Sequence, residues 1–584
     1  MHDKKLSLPS QKDLEKEIGE YLSEKYGERV KIISTGFFPN PEKLKSDAGK
    51  KYSNSEERFD FSVTPEELIT YLDDYVIQQD DAKAVLATKI CTHFNRIRYT
   101  LDNPQRVGKN IGQVKSNVLL IGPTGVGKTF LIKLIAQRLG VPFVKGDATK
   151  FSETGYVGGD VEDLIRDLVS QADGDIERAQ YGIVYVDEID KIASSSNRLG
   201  ADVSRTGVQR ALLKPMEETE VDLKVPHDPI SQIEAVEHFR ATGKREKRVV
   251  NTKNILFVMS GAFAGLEEII KKRVQQQSMG FEGTVTSKKD SGLFLKQVKA
   301  EDLVQYGFES EFVGRVPVVT VLDELTEDDF YQILLNPNSA VVVGKKHDFM
   351  AYGIRILFEK KALKEIARRA TGERTGARGL VSIMEKKLLP FEKKLPSTNI
   401  KHLVVTANAV KRPEKELQAL LATKTNSSKY EELFDSCLQK EQKRTADFIV
   451  STLFEYLADR DVVLTPDRIE LMAKQCLKYS MQTHDVAEKF IEFIGEIRKC
   501  EMEISEKCEL SVIFSEEAID RILARKTQNF HTVTEICKEL FNEFEYGLRL
   551  LSQKGDKVNV LIPAEGVDSP GKFINTLVEK SFGL

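Results

Sequence analysis

Residues Gly122, Pro123, Thr124, Gly125, Val126, Gly127, Lys128 and Thr129 fit the pattern GxxxxGK[ST] without mismatch. Glycines at this spacing let backbone N–H groups wrap a phosphate, and a following helix N-terminus adds partial positive charge. Lys128 can neutralise β- and γ-oxygens, and Thr129 can hold Mg²⁺. Further along, Asp187 and Glu188 follow the apolar run Ile183–Val186. An Asp at a strand end can bind Mg²⁺ through water, and a Glu beside it can polarise an attacking water. Together these residues point to hydrolysis of ATP with Mg²⁺ as cofactor. A kinase would need an acceptor pocket and lid instead.

Such residues need a strand before the loop and a helix after it. Val118–Ile121 supplies the strand, and Phe130, Leu131, Leu134, Ile135 and Leu139 recur at helical spacing. The β-like runs Ile183–Val186, Ile255–Met259 and Val316–Val321 alternate with helical patterns between 64 and about 320. That alternation predicts an α/β fold, a parallel sheet with helices on both faces. Strand-like Ile354–Phe358 and Leu403–Thr406 lie in an otherwise helical stretch, and 411–505 reads as helix. Residues 39–58 carry turn formers without a period and read as a linker.

The remaining composition sets limits. Lys+Arg number 86 against 90 Asp+Glu, for a net charge of −4, so no global basic field suits a nucleic-acid coat. No run approaches the ~18 apolar residues of a membrane span, and the N-terminus lacks the apolar stretch of a secretory signal. Cys91, Cys437, Cys476, Cys500, Cys508 and Cys537 form no CxxC pair. This argues against a zinc ribbon or disulfide framework and for a cytoplasmic location.

The segments Tyr75–Lys83, Gly122–Thr129, Gly155–Gly158, Val184–Ile192, Gly261–Gly265, Glu311–Pro317 and Thr375–Leu380 occur in the order found in the ClpX family. Over about 64–410 the chain resembles this family of AAA+ protein unfoldases, which feed the ClpP peptidase. HslU shares several segments, and Asp202–Arg210 looks closer to it, but HslU carries a large insertion where only 158–183 stands here. The resemblance implies a homo-oligomer, usually a hexameric ring, that threads protein substrates through its pore. It implies Val76 and Ile77 on the adenine, and Arg378 on the phosphates from the small domain. Arg315 would reach a neighbour's γ-phosphate, and Ser260 would stand near the attacking water. Tyr156 and Val157 would grip substrate in the pore. Met279, Gly280 and Phe281 would dock a ClpP-type peptidase. The implied domains are 1–60 (N-terminal module and linker), 61–322 (large ATPase domain), 323–410 (small, mainly helical α+β lid), 411–508 (helical) and 509–584 (lid-like repeat and tail).

Three departures stand out. The family's four-Cys zinc domain has no counterpart, since no Cys precedes Cys91. Gln78 replaces a family Gly, so the turn beside the adenine is expected to differ. The pore-entrance Arg-Lys-His tripeptide is missing from about 221–250, where Lys244–Arg248 could supply charge. The competing readings are an HslU-like or stand-alone protein-remodelling ATPase without a peptidase, an AAA+ nucleic-acid motor and an ATP-binding scaffold. The grip at Tyr156 and the want of a basic, aromatic-interleaved domain weigh against the motor.

Residues 353–410, slid by 156 positions without a gap, bring Phe358 onto Phe514, Ala362 onto Ala518, Ile366 onto Ile522, Leu388 onto Phe544 and Val404 onto Val560. This apolar lattice predicts a degenerate copy of the lid domain in 509–566. Arg378 falls on Thr534 and Gly379 on Glu535, so the copy should bind no nucleotide. Helical 411–505 is expected to set its distance from the ring.

Overall fold

The structure, a computed structural model, describes residues 61–103, 115–151, 159–194, 203–223, 248–278, 294–422, 428–528, 532–553 and 559–582. Among the described residues, seven strands precede residue 322: β1 Val118–Ile121, β2 Phe143–Asp147, β3 Ile183–Asp187, β4 Glu220–Asp222, β5 Val249–Asn251, β6 Leu256–Gly261 and β7 Val318–Val321. Five run parallel in the order β2-β3-β6-β1-β7, while β4 and β5 form an antiparallel pair apart.

Successive side chains leave a strand on opposite faces. Val118 and Leu120 join Tyr185 and Val258 in one apolar cluster, and Leu119 and Ile121 join Val184, Val186 and Phe257 in the other. Parallel strands are stable when both faces are covered. Helices Asp80–Asp102 and Lys128–Leu139 cover the first through Leu86, Ile90, Leu131 and Ile135. Helices Asp163–Gln171, Val203–Met216 and Leu266–Ser278 cover the second through Leu164, Leu168, Leu212 and Ile270. The α/β reading is therefore right. Two strands start one or two residues later than their apolar runs, at Leu256 and Val318. Strand β2 is not legible as a run because only Val144 in it is buried, at the edge of the sheet.

The first apolar cluster does not stop at residue 322. Phe330, Leu334, Leu363, Ile366 and Leu380 belong to it, so the large lobe and the small lobe share one core. The small lobe carries a two-stranded parallel pair, β8 Arg355–Phe358 and β9 His402–Val405. Its helix Ala377–Lys394 starts against the phosphate loop, where Ala377 N–H donates to the Gly125 carbonyl at 2.8 Å. A Cβ on Gly125 would lie 2.3 Å from the Thr375 carbonyl oxygen, and one on Gly376 2.6 Å from that of Thr124. Gly376 also holds φ 64° and ψ −150°, a conformation that essentially only glycine tolerates.

Beyond residue 411 the chain builds a second core from Leu453, Met472, Phe490, Ile497, Ile519, Ile522 and Leu540. It contains another parallel pair, β10 Ser511–Phe514 and β11 Asn559–Ile562. The 156-position offset carries Arg355 onto Ser511 and Ala377 onto Val533, the first residues of matching elements. The gapless alignment fails at the second strand, which starts at His402 in the first copy and one residue beyond the offset, at Asn559, in the second. Val404 pairs with Leu357, and the matching pair is Leu561 with Ile513, so Val404 corresponds to Leu561 rather than Val560. One residue more in the preceding connection accounts for the slip.

The helices of 411–508 are not a spacer. Tyr430 Oη accepts from the Val404 N–H at 2.9 Å, Glu441 pairs with buried Lys346, and His347 Nε2 donates to the Ser480 carbonyl at 2.7 Å. Each bond ties this segment back onto the small lobe. Where the two lobes meet, Gly376→Ala should lose protection of the Ala377 amide from hydrogen exchange and destabilise the chain by about 1–3 kcal/mol. Unchanged protection would show that the close approach is not needed.

Candidate nucleotide site

The phosphate loop leaves β1 and turns into helix Lys128–Leu139 through Gly125 at φ 79° and Gly127 at φ 97°. Left-handed residues here leave the first helical N–H groups free to face an anion. Lys128 Nζ reaches back to the carbonyls of Gly122 at 2.6 Å and Pro123 at 2.8 Å. Burial pushes its ammonium below the ordinary value, and Asp187 and Asp190 pull the other way. A desolvated cation held by two neutral carbonyls is well matched to a phosphate, which would compensate it better.

A chain of hydroxyls joins Thr129 to the end of β3. Thr129 Oγ1 donates to Tyr185 Oη at 3.0 Å, Tyr185 donates to Ser260 Oγ at 2.7 Å, and Ser260 donates to Asp187 Oδ1 at 2.6 Å. Lys145 from β2 holds the other oxygen of Asp187 at 2.8 Å. Burial works against the charged carboxylate. Lys145, Ser260 and the Glu188 N–H outweigh it, and Asp187 sits below the usual carboxylate range. Burial likewise pushes the Tyr185 hydroxyl up to about 12, so it stays a neutral donor. Glu188 follows with φ 57°, a left-handed turn that ends the strand.

These groups surround a cavity of about 410 Å³, within the usual ~300–1,000 Å³ of small-molecule sites. Thr124–Phe130, Asp187, Glu188, Asp190 and Lys191 line one end. The other end is apolar: Tyr75, Val76 and Ile77 from the large lobe, and Ile333, Ala340, Val341 and Val381 from the small lobe. Arg378 completes the wall on the small-lobe side. Ser339 also lines it, and its buried hydroxyl has no hydrogen-bond partner among the described residues. An apolar slot with an unsatisfied hydroxyl at one end, and a cationic, anion-facing loop at the other, fits a purine nucleotide. Thr129 and Asp187 fit the donor set for Mg²⁺.

The structure brings together Val76, Ile77, Thr124, Gly125, Val126, Gly127, Lys128, Thr129, Asp187, Glu188 and Arg378. Gly122 and Pro123 enter through their carbonyls. Ser260, expected near an attacking water, stands next to Gly261, which lines the cavity. It is fully buried, with its hydroxyl committed to Tyr185 and Asp187. Gln78 holds a left-handed turn with φ 62°, the region that favours glycine. Gln79 secures it by exchanging two 2.8 Å bonds with the backbone of Asp323. Arg315 lies away from the cavity and pairs with Glu217 at 2.5 Å. Tyr156, Val157, Met279, Gly280, Phe281 and Lys244–Lys247 lie outside the described residues. Sequence reasoning passed over Lys145, Tyr185 and Asp190. An isolated Lys on an edge strand and a Tyr inside an apolar run carry no motif, although a Tyr amid aliphatic residues is a hint that its hydroxyl has a partner.

Residues 113–319 match the family described as AAA domain (Cdc48 subfamily). The ATP-dependent Clp protease ATP-binding subunits ClpX of Borrelia duttonii and Borrelia recurrentis are each 40% identical over 383 residues, which covers 64% of this chain and 84% of theirs. That of Treponema denticola is 40% identical over 338 residues, 57% of this chain and 78% of its own. With the phosphate loop, Asp187, Glu188 and Arg378 gathered round one cavity, the chain belongs to the ClpX family of AAA+ ATPases.

Proposed function

We propose that this ATPase is a ring-forming protein unfoldase that threads polypeptides through its pore and delivers them to a ClpP-type peptidase. The observation that carries the reading is a single cavity walled by both lobes, with Arg378 of the small lobe facing the phosphate loop of the large one. A nucleotide held this way couples its γ-phosphate to the angle between lobes. Arg315 is half-exposed and remote from its own cavity, which supports a role at a neighbour's site in a homo-oligomer. We infer a cytoplasmic location from six unbonded cysteines, the state kept by a reducing compartment. Among the described residues no helix is long and apolar enough to cross a membrane.

In the proposed turnover, Lys128 leaves the Gly122 and Pro123 carbonyls for phosphate oxygens. Thr129 and Asp187 would hold Mg²⁺, which when bound would supply positive charge to the phosphates. Ser260 and Lys145 keep Asp187 ionised and oriented. Glu188 takes the proton from the attacking water, free of the contacts that occupy Asp187. Arg378 and a neighbour's Arg315 steady the charge that develops, because a guanidinium donates in a rigid fork.

Glu188→Gln should retain ATP binding while turnover falls by about 10²–10⁴, the usual contribution of a general base. Parent-like turnover would remove Glu188 from the chemistry. Arg315→Ala alone should be nearly inactive. Mixed with Glu188→Gln it should regain part of the parent activity, since some sites would then combine an intact Glu188 with a neighbour's intact Arg315. No regain on mixing would count against action in trans.

Ser260→Ala removes a bond that lowers the Asp187 pKa. The ionised carboxylate would then be lost at a higher pH, so the acid limb of the ATPase profile should move up. An unmoved limb would mean that Asp187 does not set it.

For the unfoldase reading, Tyr156→Ala should slow ATP-dependent unfolding of a tagged fluorescent protein far more than it slows ATP hydrolysis. Degradation of that protein with added ClpP should require Phe281. Equal unfolding by parent and Tyr156→Ala, or Phe281→Ala degrading at the parent rate, would overturn the respective assignment.

A further inference from the structure

Two short segments, Tyr75–Ile77 on the large lobe and Ser339–Val341 on the small lobe, contribute much of the apolar end of the cavity, beside Ile333 and Val381. Each is preceded by a residue that two consecutive positions of the C-terminal extension hold. His484 Nε2 donates to Asp74 Oδ2 at 2.6 Å. Thr483 donates to Asn338 Oδ1 twice, through its N–H at 2.8 Å and its hydroxyl at 3.1 Å. The two held residues are themselves linked: the Asp74 carbonyl accepts from Asn336 Nδ2 at 2.9 Å and from Asn338 Nδ2 at 3.4 Å. Asp74, Asn338, Thr483 and His484 are all buried. The rings of Tyr71, Tyr75 and Tyr456 surround His484 with centroids 5.1, 5.7 and 5.3 Å away. Three parts of the chain thus meet at one buried polar knot next to the wall segments of the slot.

We propose that Thr483 and His484 are positioning residues for the nucleotide base: the C-terminal extension sets the spacing of the two wall segments and so tunes affinity for the base, while leaving the phosphate cradle untouched. The physical reason is the cost of the alternative. Burial raises the Asp74 carboxyl, and the bond to His484 is the largest opposing influence. A buried carboxylate without that donor would recruit water or neutralise, and either would let the backbone at Asp74–Val76 move. Asn338 has the same dependence, because its side chain is the relay between Thr483 and the Asp74 carbonyl. The connection also runs outward. Ser480, just before the knot, accepts from His347 of the small lobe, so a partner engaging the extension has a route to the slot.

The inference rests on the cavity being the nucleotide site, and the experiment separates the two. Binding of fluorescent mant-ADP and of inorganic pyrophosphate is measured by titration on the full chain, with hydrogen exchange of 74–77 and 339–341 in the ligand-free protein. His484→Phe keeps a ring against the tyrosines and removes the donor. It should weaken mant-ADP about tenfold, the worth of a buried hydrogen bond to a charged group, while pyrophosphate affinity stays within about twofold and both segments exchange faster. His484→Gln restores an N–H donor and should recover most of the parent affinity. Thr483→Val keeps volume and backbone donor, and should show the same pattern more weakly if His484→Phe fails to fold. Equal weakening of mant-ADP and pyrophosphate, or unchanged mant-ADP affinity with unchanged exchange, would overturn the proposal. A parent that binds mant-ADP no better than pyrophosphate would instead overturn the assignment of the slot to the base.

Discussion

Two main chains meeting without side chains between them is the constraint on which the site depends. Gly125 and Gly376 let the phosphate loop and the start of helix Ala377–Lys394 approach closely enough for the Ala377 amide to find the Gly125 carbonyl. That amide belongs to the first turn of a helix, where N–H groups lack partners within the helix. The large lobe supplies the partner, and the loop that cradles phosphate becomes the cap of a small-lobe helix. Arg378, one residue further on, is thereby delivered to the cavity. Any change in the loop's path is passed to the small lobe through backbone, which yields less than a side-chain contact would.

The polar interior of the large lobe follows a related logic. Thr129 sits on the helix after the loop, and Asp187 at the end of β3, two positions that the sheet topology keeps on separate elements. The hydroxyls of Tyr185 and Ser260 bridge them. Tyr185 and Ser260 are buried, and each hydroxyl both accepts and donates in this relay, so removing one member would leave a donor or acceptor stranded in a low-dielectric core. The relay therefore binds the two expected metal-holding side chains into one unit. Lys145 is placed by the β2–β3 register, which sets it beside Tyr185, with its ammonium 5.8 Å from the ring centroid and 2.8 Å from Asp187.

What could be read in the sequence was what a short window contains. Loop glycines, Lys128, the Asp187–Glu188 pair and the apolar runs of β1 and β3 are local patterns, and all fall where they were expected. The adenine wall was half legible: Val76 and Ile77 came through resemblance, while Ile333, Val341 and Val381 are ordinary apolar residues until the lobes close. Ser260 shows the limit from the other side. Its place at a strand end was right, but which way a hydroxyl turns depends on Tyr185 and Asp187, and no spacing rule links those three. The Asp74–His484 contact joins positions far apart in the chain through a fold that must form first, and neither residue belongs to a motif. Gln78 is instructive in another way: it stands in left-handed backbone without being a glycine, and bonds from the neighbouring Gln79 to Asp323 hold that turn in place.

The second copy of the small-lobe pattern shows how the same lattice loses its chemistry. In the first copy the helix beginning at Ala377 is uncapped by its own side chains, because Gly376 precedes it and its amide is used by the phosphate loop. In the second, Thr532 precedes the helix beginning at Val533, its hydroxyl accepting from the Glu535 N–H while Glu535 accepts from the Thr532 N–H. This reciprocal cap satisfies amides that the first copy leaves for a neighbour. It also sets a carboxylate where an anion would have to approach. A helix start that is closed on itself gains local stability and cannot serve another loop. The apolar positions behind it, Ile536, Leu540 and Phe544, stay buried as their counterparts do. The copy has kept the packing half of the design and closed the helix start that in the first copy meets the phosphate loop.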